Sequence, residues 1–286
     1  MNPEAFFLPT LEGQCFCLYH PAVKATNLPA NGRVIYIHPL AEEMNKSRRM
    51  AAMQARALAC AGFDVLQIDL LGSGDSSGDF GDASWSAWVR NVLAASEWLN
   101  NRASHEQPEA SCPPLWLWGL RAGCLVAVQA AQSIQEPCNF LFWAPTPSGK
   151  VVLQQFLRLG AVADLASGNA KARMEGIRST LKEGHPVEIA GYQLTGPMAT
   201  ELEKASLTPH RKGGKDERVE WFELTTRPDA APSPASSRAI AEWQAAGYAV
   251  RSHMVVGPSF WQTTEIEDAP DLLAATSLNL LGQSVQ

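Results

Sequence analysis

Nowhere is this chain apolar for the roughly 20 consecutive residues that a membrane-crossing helix needs, and Met1 to Thr10 lack a basic start followed by an apolar run. Neither a transmembrane span nor a signal peptide is therefore expected. Basic residues are in the minority: 23 Lys and Arg against 29 Asp and Glu leave a net charge of -6. That balance argues against nucleic acid or an anionic membrane surface as a partner. The 6 cysteines include no C-x-x-C and no Cys/His pair at zinc spacing, so no metal site is expected. They read as reduced, mostly buried thiols of a cytoplasmic protein, with Cys15 and Cys17 on one face of a strand. Gly72-x-Gly74 lacks the third glycine of a dinucleotide loop, and no cofactor is expected. Internal repeats and low-complexity tracts are absent.

What the chain does have is 286 residues of ordinary globular composition, 46% hydrophobic and 18% charged, enough to bury a sizeable core. Residues 5–19 read as a β-hairpin at a sheet edge. Arg33–Ile37 is a nearly continuous apolar run, as expected of a strand buried on both faces; Asp64–Leu70 reads as a second buried strand, and Leu115–Trp118 and Asn139–Trp143 as further strands. Between them, a polar loop over 41–47 leads to a helix from Arg48 to Ala61 capped by Ser47, and Ser84 precedes a helix carrying Trp85 and Trp88. A Pro-containing loop over 102–114 and a helix from Cys124 to Ser133 complete this half. The βα rhythm lapses over 148–215, which is helical or irregular and reads as an inserted cap or lid. It returns with strands at 219–225 and 249–256 and helices at 236–246 and 269–281. Strands alternating with helices predict an α/β fold with a mostly parallel, doubly wound sheet, as one domain over 1–286. In such sheets a site lies at the carboxyl ends of the strands.

The sharpest local feature is the strand followed by Gly119-Leu120-Arg121-Ala122-Gly123 and a helix. A residue at this kind of turn is lifted above the sheet, with small neighbours that let the chain fold back. Nucleophilic catalysis needs Ser, Cys or Asp there. Arg121 stays protonated at ordinary pH and cannot attack a carbonyl.

The chain resembles the α/β-hydrolase superfamily over nearly its whole length, and more narrowly the exosortase A system-associated hydrolase 2 family. The residues that carry this are His38-Pro39-Leu40-Ala41-Glu42-Glu43-Met44-Asn45-Lys46-Ser47-Arg48-Arg49, Asp69 to Gly78, Gly119-Leu120-Arg121, Ile189-Ala190-Gly191-Tyr192 and Gly257-Pro258-Ser259-Phe260-Trp261. The resemblance implies an α/β-hydrolase fold and a bacterial setting of PEP-CTERM protein sorting and exopolysaccharide production. It also implies three catalytic slots. The nucleophile slot falls on Arg121, the acid slot on Asp229, and the histidine slot near Gly257-Pro258, where no histidine stands; His253 lies inside the strand. Ser-His-Asp hydrolysis is thus not expected.

An anion-binding half survives: the amides of Ala122 and Gly123 at a helix start, the amide of Leu40 where the superfamily places its other oxyanion donor, and the Arg121 guanidinium. Arg121 either meets a ligand anion or is tied to Glu42, Glu43 or Asp75 in an internal ion pair. The 38–49 loop offers His38 or Glu43 as a proton shuttle and Asn45 and Lys46 as ligand contacts, or else is a solvated loop. Cys124, at a helix start beside Arg121, is expected to have a lowered pKa, but as a replacement nucleophile it lacks a nearby base, and packing is its expected role. Tyr192, Phe260 and Trp261 are candidate pocket walls. Three functions follow: an ester or acyl hydrolase with non-standard residues, a binding protein for an anionic or acyl small molecule, or a scaffold for other exosortase-system proteins.

Overall fold

Three strands in which every residue is buried form the middle of the sheet: β3 (Gly32–Ile37), β5 (Leu115–Leu120) and β6 (Cys138–Trp143). Their largely apolar sequences, broken by Arg33 and Asn139, follow from being covered on both faces. The computed structural model describes residues 2–25, 28–106, 111–161, 169–214 and 216–282. Parts of the expected insertion over 148–215, of the connections 21–32 and 102–114, and of the ends of the expected domain 1–286 lie outside the described residues.

Around those three strands, β1 (Glu4–Pro9), β2 (Gln14–His20), β4 (Phe63–Ile68), β9 (Arg218–Thr225) and β10 (Ala249–Val256) complete an 8-stranded sheet of order β1-β2-β4-β3-β5-β6-β9-β10. β1 and β2 are antiparallel, and the strands from β4 to β10 run parallel. One face is covered by α1 (Glu42–Cys60) and α8 (Pro270–Leu280), whose Met50, Leu58 and Leu272 pack with Trp116, Trp118 and Trp143. The other face is covered by α2 (Trp85–Glu106), α3 (Ala122–Ala130) and α7 (Pro234–Ala245), through Trp88, Leu125 and Trp243. The doubly wound α/β architecture expected from the strand–helix rhythm is therefore the observed one.

Between β6 and β9 the chain leaves the sheet to form α4 (Gly149–Leu159), α5 (Ala170–Lys182), a hairpin of β7 (Val187–Ile189) and β8 (Tyr192–Leu194), and α6 (Gly196–Lys204). The hairpin corrects the purely helical or irregular expectation. Its turn, Ala190-Gly191, has positive φ at both residues, a turn class that a strand pattern of only 3 residues a side cannot announce.

Two helix starts also differ from expectation. α1 begins at Glu42, so all of the polar run 41–47 after Ala41 is helix rather than loop. Ser47 is not its cap, and its hydroxyl donates to the carbonyl of Glu43 at 2.6 Å. The physical reason is charge: Glu42 and Glu43 in the first turn suit the positive end of the helix dipole. Likewise α3 starts at Ala122, immediately after the turn, and α2 runs on to Glu106, into the span read as loop. Ser84 does cap α2, accepting from the Ala87 amide at 3.1 Å.

Candidate functional site

The turn between β5 and α3 is built by its two glycines. A Cβ on Gly119 would stand 2.5 Å from the Cα and N of Cys124, so only glycine lets the helix fold straight back over the strand. One on Gly123 would stand 2.1 Å from the carbonyl oxygen of Ile37, so glycine there brings α3 against the end of β3. Between them Arg121 takes φ 54° and ψ -116°, a conformation that costs a non-glycine residue about 1–3 kcal/mol. Two hydrogen bonds hold it, from the Arg121 amide to the Trp143 carbonyl (3.0 Å) and from the Cys124 amide to the Arg121 carbonyl (3.1 Å). Ala41, just ahead of α1, has nearly the same angles, φ 52° and ψ -126°. Two helix starts, α1 and α3, thus meet at one corner above the sheet. The amides of Leu40, Ala122 and Gly123 have no hydrogen-bond partner among the described residues.

The Arg121 side chain fills that corner and is 8% exposed as a residue. Its Nη2 donates to Gln155 Oε1 at 2.6 Å, and its Nε lies 3.4 Å from Glu43 Oε1. The Trp261 ring lies over the guanidinium, with 5.5 Å from Cζ to the ring centroid, within cation–π range. Burial pushes the Glu43 carboxyl above the ordinary carboxylate value. Arg121 and Gln262 pull it back only in part, and Glu42 adds to the rise. Of the acids considered as partners for Arg121, Glu43 is the one that pairs. Asp75 belongs to another turn, where its amide donates to Asp69.

Beside this cluster lies a cavity of about 330 Å³. α1 and the loop before it supply Leu40, Glu42, Glu43 and Lys46; α4 supplies Val152, Gln155, Phe156 and Leu159; Gln262 closes the end. One wall is polar and the other apolar. Arg121 stands one contact behind the lining, bonded to Glu43 and Gln155.

Shape comparison places this architecture among known proteins. Over 98% of this chain and 99% of theirs, it superposes on Est1E from Butyrivibrio proteoclasticus bound to ferulic acid, at TM-score 0.60 and 15% identity. A soluble variant of the Saccharomyces cerevisiae monoglyceride lipase with a substrate analog matches over 100% of this chain and 97% of its own, at TM-score 0.64 and 13% identity. The chain has the α/β-hydrolase fold. In sequence it is 28% identical to the human Protein ABHD12B over 125 residues, 44% of this chain but only 30% of that protein's length. No family model matches the sequence.

Within the α/β-hydrolase fold the remaining sequence candidates separate. His38 is not free to shuttle protons. It is buried, its Nε2 accepts the Leu70 amide at 3.1 Å, its Nδ1 donates to the Pro39 carbonyl at 2.7 Å, and burial lowers its pKa. Asp229 is exposed in the turn after β9, with no contact to Arg121 among the described residues. Cys124 is corrected in sign: full burial outweighs Arg121 and the helix start, and its thiol is pushed far up rather than down. Lys46 and Leu40 line the cavity. Asn45 instead donates to the Tyr192 hydroxyl at 3.1 Å, and Tyr192 packs edge-on to Phe80 at 5.3 Å. Phe260 is core, against Trp143 at 6.2 Å. His253 makes no contact with Arg121 among the described residues; its Nε2 lies 2.9 Å from Glu220 Oε2 and its ring stacks on Phe222.

Sequence reasoning missed the α4 wall and Gln262. Val152, Gln155, Phe156 and Leu159 fall at i, i+3, i+4 and i+7, one helix face with a single amide in an apolar stripe. That spacing was there to be found. Among the described residues no group of three or more His, Cys, Asp and Glu could hold a metal ion, and no helix is long and apolar enough to cross a membrane.

Proposed function

We propose that this chain binds a small amphipathic molecule in the cavity between α1 and α4, and that Ser-His-Asp hydrolysis does not operate in it. The observation that carries the reading is the identity and bonding of the elbow residue. Arg121 stands at the strained turn where an α/β-hydrolase-fold enzyme needs a nucleophile, and it is held by Glu43, Gln155 and Trp261. A protonated guanidinium is no nucleophile, and the loop after β10 supplies an indole in place of a base. The apolar stripe of α4 suits an acyl or aryl body, and the polar groups of α1 suit a head group.

In this reading Glu43, Leu40, Lys46, Gln155 and Gln262 contact the ligand. Arg121 and the amides of Ala122 and Gly123 form the electropositive floor, and the segment 148–215 is the cap. His38 and Asp229 carry no catalytic role. The sequence blocks around 38–49, 69–78 and 257–261 support a place in an exosortase-linked, PEP-CTERM setting. The unpaired state of all six cysteines suits a reducing, cytoplasmic location.

A panel of p-nitrophenyl esters tests the reading on wild type, Arg121→Ala and Arg121→Ser. The expected result is no turnover by any of them. Serine alone does not restore activity, because no histidine stands where Trp261 is. Turnover by wild type that Arg121→Ala abolishes would overturn the reading in favour of an unusual hydrolase.

A further inference from the structure

The corner around Arg121 holds more donors than acceptors. A guanidinium carries five N–H groups, yet Arg121 Nη1 has no acceptor among the described residues. Trp261, in contact with the guanidinium and 6% exposed, has its indole Nε1–H buried with no partner among the described residues. The amides of Leu40, Ala122 and Gly123 lack acceptors as well. Buried donors are seldom left unmet in a native structure, so the Trp261 indole and the amides of three buried residues, beside a guanidinium nitrogen with hydrogens to spare, mark a place for an oxygen-rich group. The one carboxylate present fills it poorly. Glu43 approaches by a single oxygen at 3.4 Å from Nε, whereas a guanidinium–carboxylate pair at its best forms two parallel bonds of about 2.7–2.9 Å. Glu43 also lines the cavity, so it stands between the open volume and the cation.

We propose that the Glu43 carboxylate occupies the place of a ligand's carboxylate, and that an amphipathic carboxylate entering the cavity displaces it from Arg121. This rests on the ligand-binding reading above and adds the ligand's head group and its control. After the exchange Arg121 is paired with the ligand, and Glu43 lies beside a second carboxylate. Two carboxylates cannot both stay ionised at that separation without strong repulsion, so Glu43 takes one proton from solvent and donates a hydrogen bond to the incoming group. The balance is one ligand carboxylate and one proton taken up together. Charged neighbours set how readily this happens. Glu42 disfavours a second negative charge, Lys46 and Arg121 favour one, and burial already raises the Glu43 pKa. The apolar residues Val152, Phe156 and Leu159 would then cover the aliphatic body.

Titration calorimetry with sodium octanoate, and with octanamide as the uncharged analogue, tests the exchange on wild type and Glu43→Gln. Where Glu43 is ionised in the free protein, wild-type affinity for octanoate should fall up to about tenfold per pH unit. Glu43→Gln should bind octanoate with no such dependence, and about tenfold or more tightly than wild type at pH 8. Wild type alone gives a second readout that needs no variant to fold. Comparing phosphate and Tris buffers should show uptake approaching one proton per octanoate at pH 8, and none for octanamide. Binding of octanamide and octanoate without proton uptake or pH dependence would overturn the exchange and leave the cavity reading intact. Failure of both probes to bind would overturn both.

Discussion

Gly123→Ala probes the corner most directly, because the structure fixes what the added methyl must meet. Its Cβ would lie 2.1 Å from the Ile37 carbonyl oxygen and 2.8 Å from that of His38, where carbon and oxygen normally keep about 3.3 Å or more. Both obstacles are backbone, so no side chain can rotate away, and relief requires α3 to move off β3. Alanine starts with an advantage of about 1 kcal/mol over glycine inside a helix. Forcing a methyl into packed surroundings costs about 1–3 kcal/mol or more, and so large an overlap belongs at the top of that range. The net loss is about 2 kcal/mol, which at about 2–4 °C per kcal/mol lowers Tm by roughly 4–8 °C. Gly176→Ala is the matched control. It sits inside α5 with nothing within 4 Å of its added methyl, so only the helix preference acts and Tm should rise by about 2–4 °C. Scanning calorimetry on the pair reads both signs. A Gly123→Ala protein as stable as wild type would refute the close approach that places the α3 amides beside Leu40.

Further outcomes follow from buried charge and thiol chemistry. Burial alone would raise the pKa of Glu220, but hydrogen bonds from His253, Arg251 and Arg218 together outweigh it and hold the carboxyl below the ordinary 4.5. Its contribution is therefore complete above about pH 4.5 and is lost as pH falls below that value. Glu220→Gln should flatten the acid limb of Tm against pH and cost about 2–3 kcal/mol at pH 7, since it leaves Arg218 and Arg251 without their counter-ion. An acid limb unchanged by the substitution would contradict this. For the cysteines, iodoacetamide on the folded protein, read by peptide mass, should label the exposed Cys60 and Cys112 and spare Cys15, Cys17, Cys124 and Cys138. Labelling of native Cys124 would mean that its thiol is neither buried nor pushed up as described.

The fold was legible because its central strands state their environment. Val34, Ile35 and Ile37, or Leu115 through Trp118, have no polar face to offer, and only a sheet covered on both sides explains them. The elbow was legible for a similar reason, since a glycine pair bracketing a strand-to-helix turn has few other uses. The fate of particular side chains was not. His38 looks the same in sequence whether it faces a ligand or is consumed by an amide 32 residues away, as it is by Leu70. Glu42 and Glu43 looked like solvated loop because this helix start has no side-chain cap, and two acids in a first turn are a weak signal without one. Arg121 could have met any of several acids. That it met Glu43, and that an amide from α4 sits on its other side, depends on how the excursion after β6 packs, which no local spacing records.

That excursion is tied down at several points. Gln155 bonds Arg121 at 2.6 Å, the Tyr192 hydroxyl accepts from Asn45 at 3.1 Å, and Glu201 accepts the Ser86 amide at the start of α2 at 2.8 Å. For the proposed cap to lift as one piece, all three of these bonds would have to break. A lesser movement would serve the proposed ligand: Leu159 is exposed where it lines the cavity, and rotations of exposed side chains take picoseconds to nanoseconds. With such a route the proposed ligand's residence time would be governed by the grip of the chamber itself, and weakening that grip would shorten the stay without altering the speed of entry.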